Sequence, residues 1–174
     1  MTSLLHRLGF IAVIVTSAIA FEAQAQDAGN QDQNTNKQLA TNGLSQTDKI
    51  QVDTLLDNLH QSASDADWDS YFSSYHHDAV FLGTDATERW GMQQFKQYAQ
   101  ASKGWSYQLK SRKLIKINDL IVFDEALHSP SYGETRGTGA LVHTQHGWKV
   151  AQYHLTFPIP NDKAKQITQL LAKP

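Results

Sequence analysis

The chain has 174 residues, 15 basic and 17 acidic, with a formal charge of −2 at pH 7 and no cysteine. This near-neutral balance excludes the basic bias that draws a chain to nucleic acid or an anionic membrane. The missing thiols exclude disulfides, thiolate metal sites and cysteine nucleophiles, so a small molecule or another protein is the expected partner.

Residues 1–25 read as a signal peptide. Arg7 supplies the basic start, Leu8 to Ala20 the apolar run, and Ala23-Gln24-Ala25 the small-residue pattern before a cut after Ala25. Spanning a bilayer takes about 20 apolar residues, more than this run offers, so stable membrane insertion is not expected and the destination is periplasmic or secreted. Residues 26–46 form a polar tether, since Gln26 to Gly43 is mostly Gln, Asn and Asp and cannot bury enough surface to offset ordering.

The folded domain is expected over 47–174. Thr47 can cap a helix carrying Ile50, Val52, Leu55, Leu56 and Leu59 at helical spacing. Ser64-Asp65-Ala66-Asp67 then opens a second helix, with Trp68, Tyr71, Phe72 and Tyr75 on one face. A short strand at Ala79 to Gly83, a loop to Gly91 and a third helix from Met92 to Ser102 follow.

From Trp105 onward the pattern changes to long strands. Trp105–Ile117 and Leu120–His128 flank the turn Asn118-Asp119, and that register sets Arg112 opposite Glu125 and Lys113 opposite Asp124. A second hairpin joins Tyr132–Thr144 to Trp148–Phe157 around Gln145-His146-Gly147. Pro158 and Pro160 end the last strand, and Asn161 is expected to cap a terminal helix with Ile167, Leu170 and Leu171. The fold class is α+β, an antiparallel sheet with helices on one face.

Three strings carry a family likeness: Asp67-Trp68-Asp69, Phe81-Leu82-Gly83-Thr84-Asp85 followed by Glu88-Arg89-Trp90-Gly91, and Gly147-Trp148-Lys149-Val150-Ala151-Gln152-Tyr153-His154. They resemble SnoaL-like members of the nuclear transport factor 2-like superfamily over about Thr47 to Asp162. The resemblance implies a cone, a strongly bent sheet backed by N-terminal helices. It implies no single activity, because the superfamily includes isomerases, dehydratases, cyclases, transport factors and assembly hubs. In a gapless comparison with the ketosteroid isomerases of that superfamily, the oxyanion tyrosine falls on Leu59, the general base on Gly83 and the protonated acid on Thr138. Leu59 and Gly83 cannot move a proton, so isomerisation by that route is disfavoured.

Alternation on the last strand puts Ala151, Tyr153, Leu155 and Phe157 on the concave side, leaving Trp148, Val150 and His154 on the convex side. A two-residue loop would add Val142, Ala140, Thr138, Arg136 and Glu134 to the concave face, whereas a three-residue loop would reverse this. An inward Arg136 would need an anion, either Glu134 or a ligand carboxylate or phosphate. Trp68, Tyr71, Trp90, Tyr107 and Tyr153 are candidate ligand-binding walls, with ordinary core as their other reading. Asp85 is a candidate ligand contact or base at the mouth, or a turn residue.

The leading expectation is therefore an exported small-molecule-binding domain with an aromatic pocket and an arginine anchor for an anionic group. An enzyme of cyclase, dehydratase or isomerase type using Asp85, Glu134 or His154, and an interaction module with a filled cone, are the other two. No catalytic residue is assigned. No cofactor is expected, since there is no glycine-rich phosphate loop. No metal is expected either: His76 and His77 are adjacent and should diverge, and no H-E-x-x-H motif occurs among the eight histidines. The resemblance and the apolar pair Trp148 and Val150 imply a homodimer through the convex face.

Overall fold

The computed structural model describes residues 43–172; the segments read above as a signal peptide and a polar tether lie, up to residue 42, outside the described residues. Helix α1 (Gln46–Ser64) is capped two residues earlier than expected: Ser45, in extended conformation, accepts the Asp48 N–H on its Oγ at 3.0 Å, the role expected of Thr47. It buries Val52, Leu56, Leu59 and Ala63, one stripe of a 3.6-residue period. Helix α2 (Trp68–Ser73) is capped by Asp67, as its acidic start suggests. Tyr75, expected on that helix, instead opens strand β1 (Tyr75–Leu82), because the chain turns at Ser74, whose carbonyl accepts the Val150 N–H.

Strand β2 (Arg89–Gly91) is only three residues long, too short for alternation to reveal it. Helix α3 (Met92–Gln100) and strands β3 (Gln108–Ile117), β4 (Leu120–Ser129), β5 (Gly133–Thr144) and β6 (Gly147–Thr156) follow, then helix α4 (Asn161–Leu171). The sheet order is β2-β1-β6-β5-β4-β3. It is mixed rather than wholly antiparallel, because β1 runs parallel to β6. The Asn118-Asp119 turn forms as expected, with Asn118 at φ +54°, and pairs Arg112 with Glu125 and Lys113 with Asp124.

The second hairpin closes with a two-residue loop, since Thr144 pairs with Gly147. The concave face nevertheless differs from the expectation. Leu141 pairs with Val150 but Ala140 pairs with Gln152, so Ala151 is an extra, bulged residue in β6. A bulge reverses the alternation across it. Trp148 and Val150 therefore face the core with exposures of 5% and 0%, although strict alternation places them on the convex side. Tyr153 is buried as expected, but its neighbours on β5 are Gly139 and Gly137 in place of Thr138 and Arg136. Arg136 and Glu134 are exposed, while Thr135 and Gly137 beside them are buried.

Helix α1 lies against β3 and β4, held by a ladder of charged contacts. Lys116 Nζ donates to Asp48 Oδ2 at 2.8 Å, Arg112 reaches Asp53 and Asp57, and His60 Nε2 meets Glu125 Oε2 at 2.9 Å. The apolar core includes Phe81 of β1 and Phe95 of α3, whose rings stack at 3.9 Å. Each fully buried side chain of this size contributes about 1.5–3 kcal/mol. Helix α4 adds nothing to that core. Asn161 is its first residue rather than its cap, Pro160 holds the cap position without a side-chain bond, and none of its residues is buried.

Candidate functional site

An open cavity of about 510 Å³ lies against β1, β2, α3 and the segments beside them. Its back wall comes from β1, β2 and α3: Phe81, Trp90 and Phe95 lie with near-parallel rings, Phe81 and Trp90 at 6.1 Å and Trp90 and Phe95 at 5.9 Å. A second wall comes from α3 and the segment after it, Tyr98, Trp105 and Tyr107, with Trp90 and Tyr98 4.6 Å apart. Tyr132 and Phe157, 5.4 Å apart and both exposed, form the rim. Burial, with smaller contributions from the Tyr132 and Tyr98 phenols, pushes the Tyr107 hydroxyl up to about 12, so it remains a neutral donor.

Among the residues that line this cavity Glu88 alone carries a formal charge. Its Oε2 accepts the Asp85 N–H at 3.1 Å, and its carbonyl accepts the Gly83 N–H at 2.9 Å. The carboxylate lies over Gly83, where even a methyl group would collide with Oε2. Glycine at 83 is thus what lets the loop fold its own acid back over the strand end.

Behind the aromatic walls lies a buried polar cluster centred on Glu125, which is 0% exposed. Arg112 Nε donates to Oε1 at 2.7 Å, while Oε2 accepts from the Tyr153 hydroxyl at 2.9 Å and contacts His60. Burial alone would raise the Glu125 carboxyl, but the hydrogen bonds and charges of His60 and Arg112 outweigh it and hold the group below its ordinary range. Burial and the adjacent Glu125 charge push the Tyr153 hydroxyl far above its ordinary value. Two rings connect cluster and cavity: Tyr107 meets the His60 ring edge-on at 6.1 Å, and Phe81 stacks on Tyr153 at 6.2 Å.

With this geometry, a six-stranded sheet with an aromatic cavity beside it, the comparison with known families is decisive. The family model described as SnoaL-like domain matches residues 52–160. The chain belongs to the SnoaL-like domain family. Solved structures share the fold of this SnoaL-like domain at low identity. A nuclear transport factor 2-like protein of unknown function from Pseudomonas putida is 15% identical, with a TM-score of 0.59 over 70% of this chain and 94% of its own. A domain of unknown function with a cystatin-like fold from Nostoc punctiforme is 7% identical, with a TM-score of 0.61 over 75% and 90%. A cystatin-like fold protein from Burkholderia xenovorans is 14% identical, with a TM-score of 0.59 over 67% and 96%. No curated protein sequence matches the chain.

Of the residues singled out from sequence, Trp90 and Tyr107 line the cavity of the SnoaL-like domain. Trp68 packs on Tyr71 and Trp105 behind that wall, and Tyr71 is core, its hydroxyl bonded to that of Tyr75 at 2.9 Å. Tyr153 belongs to the Glu125 cluster. Asp85 is a turn residue: its Oδ1 accepts from the Thr87 hydroxyl at 2.6 Å and the Thr87 N–H at 2.8 Å, which lowers its carboxyl. Glu134 is paired with His128 at 3.0 Å on the outer surface, and neither it nor Arg136 reaches the cavity, because the Ala151 bulge turns them outward. His154 pairs with Thr138 across the strands, on the face opposite Tyr153.

Glu88 and Glu125 were both missed as site residues. Glu125 had a legible signal, since it occupies the same alternating register of β4 as Ile121, Phe123 and Leu127. Glu88 had none, because a loop residue has no periodicity to place it. His76 and His77 also depart from expectation: a register irregularity between Tyr75 and Val80 brings their rings to 4.2 Å. Their donor atoms and those of Asp78 lie within 4.8 Å of one another on an exposed segment.

Proposed function

We propose that this SnoaL-like domain binds a small, partly apolar molecule in the aromatic cavity and works outside the cytoplasm, exported by the signal peptide read at residues 1–25. The observation that carries the binding reading is the cavity itself. Its volume of about 510 Å³ falls within the roughly 300–1,000 Å³ common for small-molecule sites, and aromatic walls with a few polar groups are their usual lining. The arginine anchor has no place in this reading, since Arg136 lies outside the cavity.

The open cavity argues against a cone filled by its own side chains. Proton transfer by Asp85, Glu134 or His154 is poorly supported, since none of the three lines the cavity. Pairing of two copies through the convex face fits the apolar row Ile115, Val122 and Ala140, which lie opposite one another across β3, β4 and β5. No described helix is long and apolar enough to cross a membrane.

Native mass spectrometry of the protein purified from its exported location tests the reading. A discrete small-molecule adduct that is lost in Trp90→Ala is expected. A clean apo mass, together with no thermal shift from any member of a metabolite library, would refute it. The same spectra report whether the species is a dimer.

A further inference from the structure

We infer that the cavity selects a cationic ligand, an ammonium-bearing organic molecule of small size, rather than the anion that an arginine anchor would take. The inference rests on the small-molecule reading of the same cavity and names the class of its ligand.

The charge inventory of the lining points this way. Glu88 supplies one negative charge and no lining residue supplies a positive one. The nearest cations in sequence, Arg89 and Lys103, flank lining residues, but both side chains are exposed and neither lines the cavity. The Glu88 carboxylate is held in place by the Asp85 N–H and by its packing over Gly83. That leaves Oε1 without a hydrogen-bond partner among the described residues. A carboxylate so placed is a ready ion-pair acceptor.

The rings reinforce the same preference. Trp90, Tyr98, Trp105 and Tyr107 belong to the same cavity lining as Glu88. Aromatic faces carry negative electrostatic potential, so they attract an ammonium within about 6 Å of a ring centroid and repel an anion. A cation entering this cavity would find an anionic partner and several aromatic rings in one lining. An anion would find no cationic partner among the lining residues.

Three benzyl-bearing probes separate the possibilities: benzyltrimethylammonium, its uncharged isostere neopentylbenzene, and the anion phenylacetate. Each is titrated by tryptophan fluorescence against the mature protein and against Glu88→Gln. The cation should bind about tenfold more tightly than the hydrocarbon. Glu88→Gln should narrow that gap. If neopentylbenzene or phenylacetate binds as tightly as the cation, the charge preference is overturned while binding in the cavity stands. A cation preference undiminished in Glu88→Gln overturns the role given to the carboxylate. Failure of all three probes to bind overturns the binding reading as well. If the variant does not fold, the wild-type order of affinities decides.

Discussion

Arg112 and Glu125 face each other across β3 and β4, Nε to Oε1 at 2.7 Å, with side-chain exposures of 5% and 0%. A pair this deep is costly to desolvate, and its net contribution is smaller than its geometry suggests. Removing one partner is another matter, because the other is left charged in the interior. Glu125→Ala and Arg112→Ala should each destabilise the domain by about 3–5 kcal/mol, read from urea unfolding midpoints. A loss below about 1 kcal/mol would mean that water reaches the cluster.

Two lowered carboxyls, Glu125 in this cluster and Asp48 beside Lys116, set the acid limit of the fold. The Glu125 carboxyl lies below its ordinary value of 4.5 in the folded protein, and Asp48, bonded by Lys116, Ser45 and Trp148, is lowered to about 2. Groups with depressed folded values contribute stability that is complete above their unfolded values and lost as pH falls through the folded ones. Stability should therefore be level with respect to these carboxyls above about pH 5 and fall steadily towards about pH 2. Urea midpoints across that range check it, and a midpoint that rises on acidification would contradict it.

Gly137 lies under the Tyr153 hydroxyl, where an added methyl would strike that oxygen and crowd Glu125. Gly137→Ala should cost about 1–3 kcal/mol through overpacking, measured by thermal or urea unfolding. A neutral result would show that Tyr153 can withdraw without loss and that its bond to Glu125 matters little.

Arg136 and Trp90 should behave in opposite ways. Arg136→Ala should change stability by less than about 0.5 kcal/mol and leave ligand binding intact, as expected for an exposed side chain without a partner among the described residues. Trp90→Ala removes a cavity wall and should weaken binding by about tenfold or more. Isothermal titration with whichever ligand is recovered compares the two. Equal losses in both variants would return the site to the convex side.

Truncation after Pro160 should alter stability by less than about 0.5 kcal/mol, because no residue of α4 is buried. Its exposed Leu170 and Leu171 contribute nothing to this core. A large drop in melting temperature would show that α4 packs in solution.

Much of the fold was legible because its signals are local. The helical stripe of α1, the Asp67 cap, the Asn118-Asp119 turn and the Arg112–Glu125 register each need only neighbouring residues or one hairpin. The strings around Asp67, Phe81 and Gly147 carried the family. Trp90 and Tyr107 were picked out as aromatic residues, though sequence alone could not separate them from Tyr71 and Trp68, which are packed inside.

The amino-acid sequence by itself determined the family, the α+β class, the hairpin registers near their turns and the absence of thiol chemistry. Only the tertiary structure decided which side chains meet the cavity. Alternation assigns faces only along an unbroken register, and one bulged residue, Ala151, reverses them for the rest of β6 relative to its start. That single insertion buries Trp148 and Val150, sends Arg136 outward and brings Gly137 beneath Tyr153. Glu88 reaches the cavity through the closure of a loop, and Glu125 meets His60 across 65 positions of chain. Contacts of that kind come from the path of the backbone in space, which no local pattern of residues encodes.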